Sequence, residues 1–371
     1  MSRAALLPAR GERVVVAMSG GVDSSLAAAL AVERGCEAIG VTMQLSTGSS
    51  RCCSLADADD ARRVAESLGV RFFVANYAEA FRKQVIEPFA DAYLAGRTPI
   101  PCVACNKRFK FEHLLERAAV FGARRVATGH YARIERDPSS GKLRLLRAQD
   151  REKDQSYFLF QLDQKQLEKA WFPLGDMTKE QVRERARALG LATADKPESQ
   201  EICFVPEGRY VDVVEQVRPQ AREQGGELVD EEGRVLGRHP GVHHFTVGQR
   251  HGLGLSVGRK LYVSHIDPDR KRVTVSGVDG LAAVDAEIDE VWWLAGEPPA
   301  KPVPARVQVR HRHVGALATV VAAPDRRARV HFEESVRAVA PGQAAVFYAA
   351  DEPDVVLGGG WIARASRRGG A

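Results

Sequence analysis

The first third of the chain alternates short apolar runs with amphipathic stretches of helical length. The apolar runs predict buried strands at residues 14–18, 38–43, 72–75 and 126–128. The stretches between them predict helices at residues 24–34, 55–68, 78–94 and 107–121. This alternation is typical of a parallel sheet covered by helices, in which ligands bind at the carboxyl ends of the strands. The residues that follow Met18, Met43 and Thr128 are therefore expected to converge.

The pattern changes after Arg133, where a hairpin is predicted at residues 134–148 and a helix at 179–189. Beyond Gly208, turn signals separate short alternating runs, which predict β-barrels or sandwiches. These runs include residues 271–276, 306–310 and 328–332. A chain of 371 residues is long enough for two or three cores. We expect a catalytic α/β unit at residues 1–207, a small, mostly β central domain at 208–277 and a β-barrel at 278–371.

Composition narrows the class of protein without naming a function. Charged residues make up 27% of the chain and hydrophobic residues 44%, as is ordinary for a soluble globular protein. The net charge of +5 permits a polyanionic partner. No apolar run approaches the roughly 20 residues needed to cross a bilayer, and no signal peptide is evident. We expect a cytoplasmic protein without a membrane partner.

In a reducing compartment, the six cysteines are expected to be catalytic, metal-binding or buried rather than paired in disulfides. Cys52 and Cys53 are adjacent, Cys102 and Cys105 form a C-x-x-C motif, and the other two stand alone. Their clustering makes the region around residue 105 the first place to look for cysteine chemistry.

A glycine- and serine-rich loop, SGGVDSS at residues 19–25, follows the first predicted strand and opens the first predicted helix. Its glycines let the backbone approach a ligand, and helix-terminal amides with serine hydroxyls can bind phosphate oxygens. The loop lacks the lysine of a Walker A motif, so the γ-phosphate is not expected to be the group transferred. The alternative is an ordinary strand-to-helix turn capped by Ser and Asp.

A proline-stiffened loop, GRTPIPCVACNK at residues 96–107, leads into the predicted helix at 107–121. Cys105 is expected just before or in the first turn of this helix, where the helix dipole and the nearby Lys107 and Arg108 favour a thiolate nucleophile. Two alternatives stay open: a zinc site shared with Cys52 and Cys53, or a set of iron–sulfur ligands.

Further ordered motifs accompany these two, and together they carry a family resemblance. They are KPESQEICFV at 196–205, which contains Cys203, ATGHYAR at 127–133, KDQSYFL at 153–159, GQRHGLG at 248–254 and PGQAAVF at 341–347. Over nearly its whole length the chain resembles the tRNA 2-thiouridylase family of the ATP pyrophosphatase superfamily. The resemblance implies an adenine nucleotide alpha hydrolase-like parallel-sheet domain, a small central domain and a C-terminal β-barrel.

The resemblance also implies a reaction, in which ATP adenylates the C2 oxygen of the wobble uridine of tRNA and a cysteine persulfide supplies sulfur. The products are 2-thiouridine, AMP and pyrophosphate. Cys105 matches the catalytic nucleophile and Cys203 the persulfide carrier. Mg²⁺ is expected near Asp23, and the sulfur is expected from a persulfide-donating carrier or a cysteine desulfurase. An iron–sulfur cluster on Cys102, Cys105 and Cys203 stays open.

The resemblance assigns further residues to ATP and to tRNA. ATP contacts are expected at Ala17, Met18, Ser19, Gly20, Gly21, Val22, Asp23, Ser24, Met43 and Gly129. Contacts with tRNA are expected at Ile100, Pro101, Cys102, His130, Lys153, Asp154, Gln155, Arg310, His311 and Gln343. Family members usually carry Asn where this chain has Ile100, and often Tyr where it has His311. The plain alternative for most of the tRNA contacts is an ordinary surface or buried polar residue.

Two other function classes stay open on sequence alone. One is an ATP pyrophosphatase that adenylates a small metabolite, which would turn over without tRNA. The other is a non-catalytic RNA-binding or metal-sensing protein, which would form no AMP.

Overall fold

The N-terminal half is built on a parallel sheet, as the apolar runs predict. The computed structural model describes residues 6–45, 55–198, 202–205, 209–256 and 258–366. The strands of this half are β1 Arg13–Ala17, β2 Glu37–Gln44, β3 Arg71–Asn76, β4 Arg125–Ala127, β5 Ala132–Arg136, β6 Leu143–Arg147 and β7 Ala170–Trp171. Five of them form one parallel sheet in the order β3-β2-β1-β4-β7. All four predicted strands are confirmed.

Helices cover both faces of this sheet because its central strand is apolar on both sides. Val14 and Val16 of β1 pack into one core cluster, while Val15 packs into another. The helices of this half are α1 Val22–Glu33, α2 Leu55–Ser67, α3 Ala78–Phe81, α4 Glu87–Leu94, α5 Pro101–Ala104, α6 Leu114–Val120, α7 Gln164–Lys169 and α8 Lys179–Ala188. A π-helical segment, Arg82–Ile86, joins α3 to α4, and a second, Cys105–His113, joins α5 to α6.

The predicted start of the helix at residue 107 is wrong. The helical stretch begins six residues earlier, at Pro101, with Ile100 as its N-cap. Proline favours this position because its fixed φ suits the first helical residue and its missing N–H would have had no partner there. Cys105 therefore lies in the second turn, where a helix dipole has less influence than in the first.

The hairpin β5–β6 continues the sheet of the C-terminal barrel, an arrangement that no local pattern indicates. The remaining strands are β8 Gly226–Val229, β9 Val235–His239, β10 Tyr262–Asp267, β11 Arg272–Ser276, β12 Ala282–Trp293, β13 Val303–Gln308, β14 Ala316–Ala323, β15 Arg327–Arg337, β16 Ala344–Ala349 and β17 Val355–Ser366. Strands β12 and β13–β17 form a ring that the β12–β17 pairing closes, and β6 pairs with β17 outside it. The predicted barrel is confirmed, and the hairpin joins it to the N-terminal half.

A four-stranded sheet in the order β10-β11-β8-β9 forms the middle of the chain. A helix that the sequence reading did not predict, α9 Tyr210–Val217, precedes this sheet. It packs against α4: the rings of Tyr93 and Tyr210 stack with centroids 4.3 Å apart, and Arg218 donates two hydrogen bonds to Asp91 at 2.8 and 3.0 Å. The central unit is thereby held against the parallel-sheet domain.

Candidate functional site

A cavity of about 330 Å³ opens at the carboxyl edge of the parallel sheet. It is lined by residues from the ends of β1, β2 and β4, by the π-helical segment Cys105–His113 and by the segment around Cys203. Among the lining residues are Ala17, Met18, Ser19, Asp23, Ser24, Met43, Pro101, Cys102, Cys105, Asn106, Lys110, Thr128, Gly129, His130, Gln155 and Cys203. The expected convergence after the three strands is thus observed.

The glycine- and serine-rich loop is held in shape by its own hydroxyl groups. The Ser24 hydroxyl accepts from the Ser19 amide at 3.1 Å and donates to the Gly21 carbonyl at 3.0 Å, and the Ser25 hydroxyl donates to that carbonyl at 2.9 Å. Gly20 has a φ of +73°, and a Cβ there would lie 2.2 Å from the Asp57 carbonyl oxygen. Only glycine fits this position.

Seven of the ten predicted ATP contacts line the cavity, and three lie beside it. Val22 is buried in the core, while Gly20 and Gly21 form the turn behind the lining. Gly129 approaches the loop closely, because a Cβ there would lie 2.7 Å from the Asp23 carbonyl carbon and 2.8 Å from the Ser24 amide nitrogen. The end of β4 therefore braces the loop by direct backbone contact.

Asp23 is the centre of a charge network that the sequence reading missed. Lys179 donates to both of its carboxylate oxygens at 2.7 and 2.8 Å, and the Tyr131 hydroxyl donates to one of them at 2.7 Å. Lys179 also pairs with Glu198 at 2.7 Å, and Lys153 pairs with the other oxygen of Glu198 at 2.7 Å. The capping box that starts α8 at Thr178 gives a local reason for Lys179 to be helical. No sequence signal links it to Asp23.

This network shifts the pKa values of its members. Burial alone raises the pKa of Glu198, but the hydrogen bonds and charges of Lys153 and Lys179 outweigh it and leave the pKa below its usual value. Burial, followed by the charge of Asp23, raises the pKa of Tyr131 far above its usual value. Tyr131 therefore stays protonated and acts as a donor to Asp23.

His130 is buried and connects two other residues of the cavity wall. Its Nε2 lies 3.1 Å from Nζ of Lys110, and its Nδ1 lies 2.7 Å from the Thr128 hydroxyl. Burial, and then the charge of Lys110, hold the pKa of His130 well below its usual value. The ring is neutral, with Nε2 accepting from Lys110 and Nδ1–H donating to Thr128. Lys110, which the sequence reading did not select, is the lysine of the helical stretch that lines the cavity.

The cysteines of the cavity wall come from two separate parts of the chain. Cys102 and Cys105 lie one helical turn apart and are half-buried, as is Cys203. Cys203 is positioned by its neighbour Phe204, whose ring packs edge-on against Phe81 and Phe89 at centroid distances of 5.8 and 5.1 Å. The alternative zinc site involves Cys52 and Cys53, which lie outside the described residues.

Lys107, expected to favour the Cys105 thiolate, points instead to the barrel. Its ammonium group lies 4.7 Å from the centroid of the Trp292 ring, a cation–π contact. Lys110 lines the same cavity as Cys105 and is the nearer candidate for that electrostatic role.

Comparison with known proteins gives close relatives over nearly the whole chain. The tRNA-specific 2-thiouridylase MnmA of Solibacter usitatus is 50% identical over 368 residues, which cover 94% of this chain and 98% of the relative. The protein of the same name from Geobacter metallireducens is 48% identical and covers 96% of this chain and 98% of the relative. This chain belongs to the tRNA-specific 2-thiouridylase family.

Family models divide the chain into three matched parts. Residues 12–207 match a tRNA methyl transferase HUP domain, residues 212–277 a tRNA methyl transferase PRC-barrel domain, and residues 285–362 an aminomethyltransferase beta-barrel domain. The order of a parallel-sheet domain, a small β unit and a closed C-terminal barrel in the fold described above agrees with this division. In the described part of the chain, no helix is both long and apolar enough to span a membrane.

Solved structures are more distantly similar. A 4-thiouridine synthetase in complex with RNA and ATP is 18% identical, covers 57% of this chain and 51% of its own, and has a TM-score of 0.36. The U34-tRNA thiolase NcsA of Methanococcus maripaludis, with its 4Fe–4S cluster, is 15% identical, covers 60% of this chain and 70% of its own, and has a TM-score of 0.35.

Three of the expected tRNA contacts lie on the segment after the β5–β6 hairpin. Gln155 lines the cavity and exchanges hydrogen bonds with the backbone of Tyr131. The carboxylate of Asp154 is buried and bonded to Arg147 at 2.9 Å. Lys153 is half-buried in its pair with Glu198. Gln155 is therefore the member of this trio that faces the cavity, and direct tRNA contact by the other two stays a prediction.

Three other expected contacts, Gln343, Arg310 and His311, belong to the barrel part of the chain. Gln343 donates to the Thr98 carbonyl at 3.0 Å and so helps to join the two units. Arg310 is exposed and donates to the Arg337 carbonyl at 3.1 Å, and the His311 ring packs on Phe158 with centroids 4.5 Å apart. Arg310 and His311 thus leave polar atoms at the surface beside the cavity wall.

Ile100 lies on a different side of the helical stretch from the cysteines. It lines a second cavity of about 340 Å³ between α4 and the barrel, and Pro101 lines both cavities. Contact between Ile100 and a base in the first cavity stays a prediction.

Proposed function

We propose that this chain catalyses the ATP-dependent 2-thiolation of the wobble uridine of tRNA. The observation that carries the proposal is that one cavity is lined both by residues of the glycine- and serine-rich loop and by the cysteines Cys105 and Cys203. Activation of an oxygen by a nucleotide and its replacement by sulfur need these groups within reach of the same atom. The names of the close relatives support the same reaction.

The nucleotide half of the reaction uses the loop. A uracil C2 oxygen is a very poor leaving group, so it must first be activated. It attacks the α-phosphorus of ATP, pyrophosphate leaves, and C2 now carries an adenylate. The loop amides and the amino-terminal end of α1 would stabilise the phosphate charge. Lys179 donates a hydrogen bond to Asp23, which supports a role in positioning the loop. A Walker lysine, by contrast, contacts the phosphates directly.

The sulfur half uses the two cysteines. The terminal sulfur of a persulfide on Cys203 attacks C2, the C2–O bond breaks, and AMP leaves with the former C2 oxygen. The Cys105 thiolate then attacks Sγ of Cys203 and breaks its bond to the transferred sulfur, whose electron pair stays with the base. The products are 2-thiouridine and a Cys105–Cys203 disulfide, which an external thiol reduces. The persulfide sulfur would come from a persulfide-donating carrier protein or a cysteine desulfurase.

Mg²⁺ would accompany ATP in this site, but Asp23 is a poor sole ligand for it. Both carboxylate oxygens of Asp23 already accept from Lys179. Mg²⁺ is usually held by phosphate oxygens, waters and one or two carboxylates, and this mode suits the loop. We therefore propose that the triphosphate supplies most of the ligands for the ion.

The cysteine set also fits an iron–sulfur cluster, which makes a second version of the sulfur half. Cys102, Cys105 and Cys203 all line the cavity, and thiolates are the usual ligands of such clusters. The persulfide version needs only Cys105 and Cys203. Cys102→Ser should therefore keep most thiolation activity, whereas equal inactivation of all three variants with joint loss of iron would favour the cluster.

The tRNA would lie across all three parts of the chain. We propose that these are a catalytic unit at residues 1–207, a central unit at 208–277 and a barrel at 278–371. Gln155 would meet the target nucleotide in the cavity, and Arg310 and His311 would contact the RNA outside it. Recognition of folded RNA by backbone contacts, with one base turned into a pocket, suits this layout.

The decisive experiment incubates the full chain with ATP, a persulfide donor and unmodified tRNA, and then analyses both nucleotides and nucleosides. We expect AMP, pyrophosphate and 2-thiouridine, each dependent on tRNA. Formation of ADP would contradict the adenylation step. AMP formed without tRNA would favour a small-metabolite substrate. Methylated uridine formed with a methyl donor would favour the methyl transfer after which two of the matched domains are named.

A further inference from the structure

A cluster of two imidazoles and one carboxylate lies in the central unit, outside the thiolation site. Glu215 comes from α9, while His243 and His244 lie on a 3₁₀ turn, Val242–His244, in the connection between β9 and β10. One ligand atom from each of the three lies within 4.8 Å of the other two. Among the described residues this is the one group of at least three potential ligands that converges in this way.

The distances fit metal ligation better than hydrogen bonding. Oε1 of Glu215 lies 3.5 Å from Nε2 of His243 and 3.6 Å from Nε2 of His244. Both separations exceed the roughly 2.7–3.2 Å of ordinary hydrogen bonds. Two ligands that each lie about 2.0–2.2 Å from a tetrahedral metal ion are about 3.4 Å apart, which is close to both observed separations.

The surrounding structure holds the ligand atoms in place. The His243 ring is fully buried and lies against Gly241, where a Cβ would come within 2.4 Å of its Cε1 and 2.5 Å of its Nδ1. Within the described ranges the buried Nδ1 has no hydrogen-bond partner, and Nε2 faces Glu215. Arg222 donates to Oε2 of Glu215 at 2.9 Å, so Oε1 is the oxygen turned to the imidazoles.

The electrostatics are compatible with a bound cation. An imidazole in its neutral form has one ring nitrogen with a lone pair to donate to a metal ion. Arg222, the cation bonded to Glu215, has a largely exposed side chain, and solvent screens its charge. The His244 side chain is 29% exposed, which leaves a path to solvent for an ion and for a water as fourth ligand.

We propose that Glu215, His243 and His244 form a binding site for a divalent transition-metal ion of the Zn²⁺ class. Two imidazole nitrogens, one carboxylate oxygen and a water make a four-coordinate set that suits Zn²⁺. The ion joins α9 to the β9–β10 connection. Since α9 packs on α4 through Tyr93 and Tyr210, the site stabilises the contact between the central unit and the catalytic unit.

The test is titration of the full-length chain, stripped by chelator, with Co²⁺ and Zn²⁺. We expect one equivalent of Co²⁺ with tetrahedral d–d absorption and no thiolate-to-metal charge-transfer band. His244→Ala and Glu215→Gln should each weaken the affinity at least about tenfold, since even outer-shell partners contribute about 10–100-fold. Zn²⁺ should raise the melting temperature of the unmodified chain but not that of either variant.

His331→Ala is the matched control, because His331 pairs with Asp285 at 2.8 Å in the barrel and belongs to no such triad among the described residues. It should bind Co²⁺ as the unmodified chain does. The proposal is wrong if the stripped chain takes up no metal, if all variants bind equally, or if the bound Co²⁺ shows only thiolate ligation. Circular dichroism of the metal-free variants checks that they are folded. Loss of this site in the test would leave the thiolation proposal untouched.

Discussion

The close approach of Gly129 to the glycine- and serine-rich loop allows a sharp test of the proposed role of the loop in ATP binding. In Gly129→Ala, the new Cβ would lie 2.7 Å from the Asp23 carbonyl carbon and 2.8 Å from the Ser24 amide nitrogen. These are backbone atoms, so no side-chain rotation relieves the clash. The loop must move by about 0.7 Å to reach the 3.4 Å of ordinary van der Waals contact.

Overpacking of this kind costs about 1–3 kcal/mol. If ATP binding requires the loop in its present position, the same free energy weakens ATP binding about 5- to 150-fold. The expected result for Gly129→Ala is a higher KM for ATP in AMP formation, with tRNA affinity close to that of the unmodified chain. Calorimetric titration of ATP and a filter-binding assay with tRNA measure the two quantities separately.

Gly277→Ala is the control substitution, because no heavy atom of the described residues lies within 4 Å of a Cβ at that position and its φ is −63°. It should change neither ATP nor tRNA binding. The Gly129→Ala variant should also have a lower melting temperature, because the clash strains the folded chain. If the melting temperature falls but the ATP affinity is unaltered, ATP binds elsewhere. Equal loss of ATP and tRNA binding would point to general unfolding of the domain instead.

Three further predictions concern other parts of the site. Cys105→Ser and Cys203→Ser should bind ATP and tRNA but form no 2-thiouridine, since a serine hydroxyl stays protonated at neutral pH. In the unmodified chain, mass spectrometry after one turnover without reductant should find a Cys105–Cys203 disulfide. Arg310→Ala should weaken tRNA binding and reduce its salt dependence by roughly one counterion, measured from Kd against salt concentration; an unchanged slope would contradict a phosphate contact. Lys179→Met should lower the free energy of unfolding by about 2 kcal/mol at pH 7, below the about 3–5 kcal/mol typical of breaking fully buried pairs. Because the pKa of Glu198 is lowered in the folded state, its stabilising contribution is present above about pH 4.3 and is lost as the pH falls through the folded value, so urea titrations should show the difference shrinking at acid pH.

The sequence by itself determined the parallel sheet, the glycine- and serine-rich loop and the candidate cysteines. Strands such as β1 are buried on both faces, so they appear as continuous apolar runs whatever surrounds them. The loop is a local structure whose glycines and serines bond to one another within a few residues. Cys105 and Cys203 entered through ordered motifs, and the cavity holds both.

Only the tertiary structure decided how distant residues meet. Lys179 lies 156 positions from Asp23, and the hairpin β5–β6 pairs with a strand more than 200 positions away. Hydrophobic periodicity reports which face of an element is buried but not which element covers it. The sequence does not predict the helical start at Pro101, because the proline-rich segment before the cysteines resembles an irregular loop, whereas proline at the first helical position favours a helical turn there. The charges that surround Asp23, and the imidazoles that meet Glu215, follow from packing of separate units and leave no trace in local sequence.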